Sequence, residues 1–156
     1  FPTRRSSDLS KGKGYYQLSN VTTGRDYIDS YKVMMSKVTS EHAGEPGKDG
    51  RFKVISKMQV LGKREICTFS YFLVGNFETE EEANNCYGYL STKFARFLLL
   101  QAISSINISK DKFIFVPAQD FKRSWNDADL YAKYGISEDE IAFIDSMIKP
   151  MDGGDE

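Results

Sequence analysis

Apolar and polar positions change their period several times along the chain, and each change marks an expected element. Tyr31-Lys32-Val33-Met34-Met35-Ser36-Lys37 reads as a strand of bulky apolar residues closed by polar ones. Thr39 to Gly50 carries Gly44, Pro46, Gly47 and Gly50 and reads as a loop. Arg51 to Val60 alternates in part, with Phe52, Val54 and the Ile55 and Met58 positions apolar, and is expected to be a strand. Ile66 to Val74 is rich in β-branched and aromatic residues and is the clearest strand of the chain. Gly75 to Glu78 is expected to turn the backbone. Thr79 followed by Glu82 forms a capping box, opening a helix that continues through Ala83, Cys86, Tyr87 and Leu90. A break near Ser91-Thr92 leads to a second helical run, with Phe94, Phe97, Leu98 and Gln101-Ala102 on one face. Lys110 to Val116 returns to strand character and ends at Pro117. Asn126 can cap a short helix that stops at Gly135. Ser137 with Glu140 is another capping box, and Ile141, Ile144 and Ile148 line the buried side of a last helix that Pro150 ends. Strands first, then helices, one more strand and a helical pair favour an α+β fold over a doubly wound sheet. The expected architecture is a mixed small sheet with two packed helical segments and a C-terminal helical hairpin.

Composition narrows the class. The chain has 156 residues, 40% hydrophobic and 28% charged, as expected of a soluble globular domain with a real core. No apolar run approaches the ~20 residues that span a bilayer. Two cysteines, Cys67 and Cys86, and one histidine, His42, are too few for a disulfide framework or a structural zinc site. Both cysteines read as small apolar core residues, and a reducing cytoplasm is the natural compartment.

Net charge is −1, but it is unevenly spread. Residues 10–77 hold 11 Lys/Arg against 6 Asp/Glu, and residues 78–156 hold 8 against 15, so a half at +5 precedes a half at −7. Such asymmetry fits an anionic partner on one face; ordinary solvated surface accounts for it equally well.

The opening Phe1-Pro2-Thr3-Arg4-Arg5-Ser6-Ser7-Asp8-Leu9 has no initiator Met and no apolar signal core. It resembles one reading frame of a short-read sequencing adapter, whose end CGA CGC TCT TCC GAT CT translates as Arg-Arg-Ser-Ser-Asp-Leu. Residues 1–9 are therefore set aside, with Arg4 and Arg5, and residues 10–27 are read as the tail of an upstream region.

Catalytic motifs are missing. There is no Gly-x-Gly-x-x-Gly, no phosphate-binding loop ending in Lys-Ser/Thr, and no Gly-x-Ser-x-Gly. Any Ser/His or Cys/His mechanism would have to use His42, which lies in a glycine-rich loop without an evident orienting partner. Acid pairs such as Asp127/Asp129 and Asp139/Glu140 fall at helix starts, where they answer the helix dipole.

A more specific signal runs from Lys57 to Met151. Cys67-Thr68-Phe69-Ser70-Tyr71-Phe72-Leu73-Val74-Gly75, Glu82-Ala83-Asn84-Asn85 and Tyr89 to Leu98 appear in that order. Phe115-Val116-Pro117-Ala118-Gln119-Asp120-Phe121, Trp125-Asn126-Asp127 and Glu140 to Met151 come next. Together with Asp29 to Val33 and Ser36-Lys37, this ordered set resembles the C-terminal target-recognition region of type II restriction–modification adenine-specific DNA methyltransferases, including methyltransferase–endonuclease fusions. Ile103 to Lys110 departs from that pattern, and residues 38–64 match it least. The resemblance implies a DNA target-recognition domain over 28–125, a C-terminal helical hairpin over 126–151 and an acidic tail over 152–156. It also implies that the Asn/Asp-Pro-Pro-Tyr/Phe and Phe-x-Gly-x-Gly motifs of the family belong upstream. S-adenosylmethionine would then serve the parent enzyme, and this segment itself carries no cofactor, metal or catalytic residue. The implied partners are double-stranded DNA and a missing N-terminal methyltransferase domain, with no membrane.

The residues expected at DNA are Lys37, His42, Lys48, Arg51, Lys57, Lys63, Arg64, Lys93 and Arg96. A glycine-containing loop between basic strands can follow a phosphate backbone. Arg51 or Arg64 could fork onto guanine and Gln59 onto adenine. Lys93 and Arg96, three apart on a helix, could hold phosphate or pair with the acidic half. Trp125, ahead of a capped helix, reads as a packing anchor. The alternative function is a protein-interaction module with an acidic helical face; a small stand-alone enzyme is the least favoured.

Overall fold

Strand β3 (Tyr31–Ser36) is the centre of the molecule, because both of its faces are covered. A computed structural model describes residues 2–4, 13–41 and 45–151. On one face of β3, Val33 and Met35 join the main core; on the other, Met34 joins Leu61 and Tyr71, with Cys67 and Leu73 packed beside them. Strand β4 (Met58–Leu61) pairs antiparallel with one side of β3, and β6 (Tyr71–Phe77) with the other, giving the order β4-β3-β6. Period-2 alternation then puts Met58 and Val60 with the main core, and Gln59 and Leu61 on the outer face.

A second, smaller sheet carries the mixed pairing. Strand β1 (Pro2–Arg4) runs antiparallel to β2 (Lys13–Tyr15) and parallel to β5 (Ile66–Cys67). From β2 the chain passes through two 3₁₀ turns, Leu18–Asn20 and Arg25–Tyr27, before entering β3. The residues read as an upstream tail thus make one wall of a groove along the outer sheet face.

Helices cover the inner face. Thr79 caps α1 (Glu80–Ser91) by accepting from Glu82 N–H, and the helix buries Ala83, Cys86, Tyr89 and Leu90. Thr92 makes the break: its hydroxyl donates to Tyr89 O at 2.6 Å and accepts from Ala95 N–H at 3.1 Å, capping α2 (Lys93–Gln101). Helices α3 (Asp127–Lys133) and α4 (Glu138–Met147) both start with complete capping boxes, from Asn126/Asp129 and Ser137/Glu140. Gly135, at φ 62°, reverses the chain between them. This hairpin packs on α2 through Phe94 on Tyr134, rings 5.1 Å apart, and Phe97 on Phe143, 5.9 Å apart. The fold is α+β, as expected.

Five local expectations change. Lys110–Phe115 is a 3₁₀ helix rather than a strand. Lys112 and Val116 N–H donate to carbonyls three residues back, and Ile114 and Phe115 stay exposed. Arg51–Val60 is strand only from Met58; before it, Glu41 accepts from Lys53 and Val54 N–H, and Val54 sits at φ 71°. Ile66–Val74 is divided by a turn at Phe69-Ser70. Gly75 does not end its strand: at φ 72° it gives β6 a bulge, seen as a register shift against Tyr31 and Val33. In α2 the buried face is Phe94, Ala95, Arg96 and Leu99, with Phe97 and Leu98 half-buried and Gln101 exposed.

Candidate nucleic-acid interface

The fold disperses the eight described positions of the nine expected. Lys37 and Lys57 share one end of the antiparallel sheet, where Ser36 N–H donates to Lys57 O at 2.9 Å. Lys63 and Arg64 lie at the other end, in the turn after β4. There Arg64, at φ 63°, donates its N–H to Ile28 O at 2.6 Å, and the Lys63 ammonium stands 5.9 Å from the Tyr31 ring centroid. Lys37, Lys63 and Arg64 are exposed and Lys57 is half-buried. Lys48 is exposed on a separate turn, which leads through Phe52 to the end of α4. Arg51 on that turn holds Asp49 at 2.9 Å. His42 lies outside the described residues.

The helical pair is corrected. Lys93 joins Asp145 of α4 at 3.0 Å, the acidic-half alternative of the two left open. Arg96 is buried, 1% exposed, and donates to Ser91 O, Thr92 O, Lys53 O and Lys149 O at 2.8–3.2 Å. A guanidinium so enclosed offers no surface to a phosphate. Its burial on an amphipathic helix next to a cap is what the i, i+3 pattern could not distinguish from an exposed stripe.

Lys32 and Lys37, with residues missed by the sequence reading such as Lys110 and Tyr27, line the groove of about 620 Å³ between segment 16–27 and the outer sheet face. Lys110 reaches over the Tyr27 ring, 5.7 Å from its centroid. Lys37 stands at the same end, since Ile108 N–H donates to Lys37 O at 2.7 Å. Lys32 lies below, fully buried, its ammonium donating to Gly62 O, Ser30 O and Ile28 O at 3.0–3.4 Å. Burial lowers its pKa from the ordinary lysine value, with Glu65 pulling the other way. Cys67, between Lys32 and Lys37, has its thiol pushed up to about 11 by burial, so it is no nucleophile at neutral pH. The signal for Lys32 was present: a lone lysine on a strand whose every other residue is apolar or small must be solvated from within.

Trp125 is an anchor, as read. Its indole N–H donates to Asp120 O at 2.9 Å, and the ring is flanked by Arg123 at 3.9 Å and Lys133 at 4.7 Å. Among the described residues, no helix is long and apolar enough to cross a membrane, and no group of three or more His, Cys, Asp or Glu could hold a metal ion. No protein-family model matches the chain, and neither a curated protein nor a solved structure is detectably similar to it.

Proposed function

We propose that this chain is the DNA sequence-recognition segment of a cytoplasmic restriction–modification adenine methyltransferase, and that it meets duplex DNA along edge strand β4. The observation that carries this reading is the row Lys57, Gln59 and Lys63 on and beside that edge. The four strand residues span about 13 Å at about 3.3 Å each, so lysines just beyond its two ends can reach phosphates on both sides of a groove about 12 Å wide. Gln59, half-buried on the outer face between them, has the amide that pairs with an adenine edge. Lys37 and Arg64 extend the positive surface at each end. The acidic surplus lies in the helical layer, where Glu80–Glu82 open α1 and Glu138–Glu140 open α4. Methyl transfer and S-adenosylmethionine binding belong to a domain outside this chain.

The test is duplex binding by the chain across a salt series. Affinity is expected to fall steeply with salt, and Lys57→Gln with Lys63→Gln to reduce the slope of log K against log salt by about two. An unchanged slope in the double variant, or no binding at low salt by the folded chain, would sink the reading. A protein-interaction module is the second reading, favoured by the exposed Ile114, Phe115 and Phe143, at 72%, 53% and 56%. Capture of a protein partner without duplex affinity would put it first.

A further inference from the structure

The groove on the outer sheet face shares Lys37 with the duplex reading but contains none of Lys57, Gln59 and Lys63, so a ligand there does not depend on that reading. Its volume of about 620 Å³ is that of a small-ligand site rather than a packing defect. Two exposed ammonium groups, Lys37 and Lys110, stand at one end, and the Tyr27 ring forms part of the wall. Glu65 is the one carboxylate among the described lining residues, and buried Lys32 faces it. The Thr68 hydroxyl, also in the lining, is shielded from solvent and has no hydrogen-bond partner among the described residues. Buried hydroxyls are nearly always paired, and a polar ligand atom seated against Thr68 would give this one a partner. A ligand that answers all of these features needs an anion, a flat ring and a polar edge.

We infer that the groove binds a nucleotide, its phosphate between Lys37 and Lys110, its base against Tyr27 and a polar edge at Thr68. A simple carboxylate or phosphate lacks the ring, and an uncharged nucleoside lacks the anion. The same chemistry is offered by a free nucleotide or by one unit of a single strand.

The full chain is titrated with AMP, adenosine and inorganic phosphate, and backbone amide NMR shifts are followed. AMP is expected to move Thr22, Thr23 and Thr68 and to bind at least about tenfold more tightly than either half-molecule. Lys37→Gln with Lys110→Gln, both at exposed positions, is expected to weaken AMP by about tenfold and adenosine by less. Phosphate binding as tightly as AMP, shifts that map elsewhere, or equal AMP affinity in the double variant would each overturn the assignment. A short oligothymidylate that displaces AMP makes a single strand the natural source; failure to displace it makes the source a free nucleotide. Lys57 and Lys63 take no part, so duplex binding and nucleotide binding can fail separately.

Discussion

The guanidinium of Arg96 joins the α1–α2 junction to Lys53, ahead of β4, and to Lys149, beyond α4. Arg96→Met would take the charged donor from all four carbonyls, of which Thr92 O keeps the backbone N–H of residue 96 and Lys53 O the Ile55 N–H, and leaving the buried others short of a partner costs about 1–3 kcal/mol. A denaturant melt should show that loss, with Arg96→Lys recovering only part of it, since a single ammonium cannot reach all the carbonyls the planar fork spans. Gly75 is a second special position. Its φ of 72° is strained for any L side chain, and an added Cβ would collide with the Phe77 ring, held edge-on to Phe121 at 5.7 Å. Gly75→Ala should therefore lower stability by more than about 1 kcal/mol. The thiol of Cys86 gives a pH dependence. Burial pushes it from 9.0 up to about 12, so between those values the unfolded chain releases a proton that the folded chain keeps. Stability must then fall as pH rises through that window, with a slope of up to about 1.4 kcal/mol per unit for this one group. Cys86→Ala, though less stable overall, should show a shallower alkaline decline when melts are compared between pH 8 and 11. Lys32, with a lowered pKa, contributes in the opposite sense, and the cysteine variant separates the two.

At the scale of elements, the helices were legible and the short strands were not. Thr79, Asn126 and Ser137 each declare a helix start by local chemistry, and all three accept the expected N–H. The strand ends depend on distant partners. Glu41 takes two backbone donors that a longer β4 would have spent on its neighbour, and a short apolar run such as Phe113-Ile114-Phe115 has no period that separates strand from 3₁₀ helix. The candidate site was legible in the same uneven way. The basic residues flanking β4 could be named from charge, but the groove is made by bringing residues 16–27 together with β3, residues 65–73 and Lys110, which no local pattern encodes. Asp127 shows how closely the helices depend on one another. Its carboxylate accepts from Lys93 N–H at 3.1 Å and Phe94 N–H at 2.9 Å, so α3 supplies acceptors to the first turn of α2. Asp127→Ala should cost about 1–3 kcal/mol by leaving those donors unpaired, and hydrogen exchange should quicken first at Lys93 and Phe94.

Across the whole molecule, the antiparallel sheet holds two unequal cores, and they differ in what they need from the N-terminal residues. The main core, from Val33 to Ile148, and the small one of Met34, Leu61 and Tyr71 include no described residue before Val33. Among the described pairings, strand β1 contributes three with β2 and two with β5. Removing residues 1–9 should therefore leave the melting temperature within a few degrees, given that about 1 kcal/mol moves it by roughly 2–4 °C at this size. Removing residues 1–27 is a different matter. It takes away one wall of the groove and opens the outer sheet face to water, where each large apolar side chain re-exposed costs up to about 1.5–3 kcal/mol. That truncation should lower the melting temperature by about 10 °C or more and raise binding of a hydrophobic dye. If residues 1–9 alone produced a fall of that size, Pro2–Arg4 would have to be counted as an integral strand. The reading of those residues as translated adapter would then have to be given up.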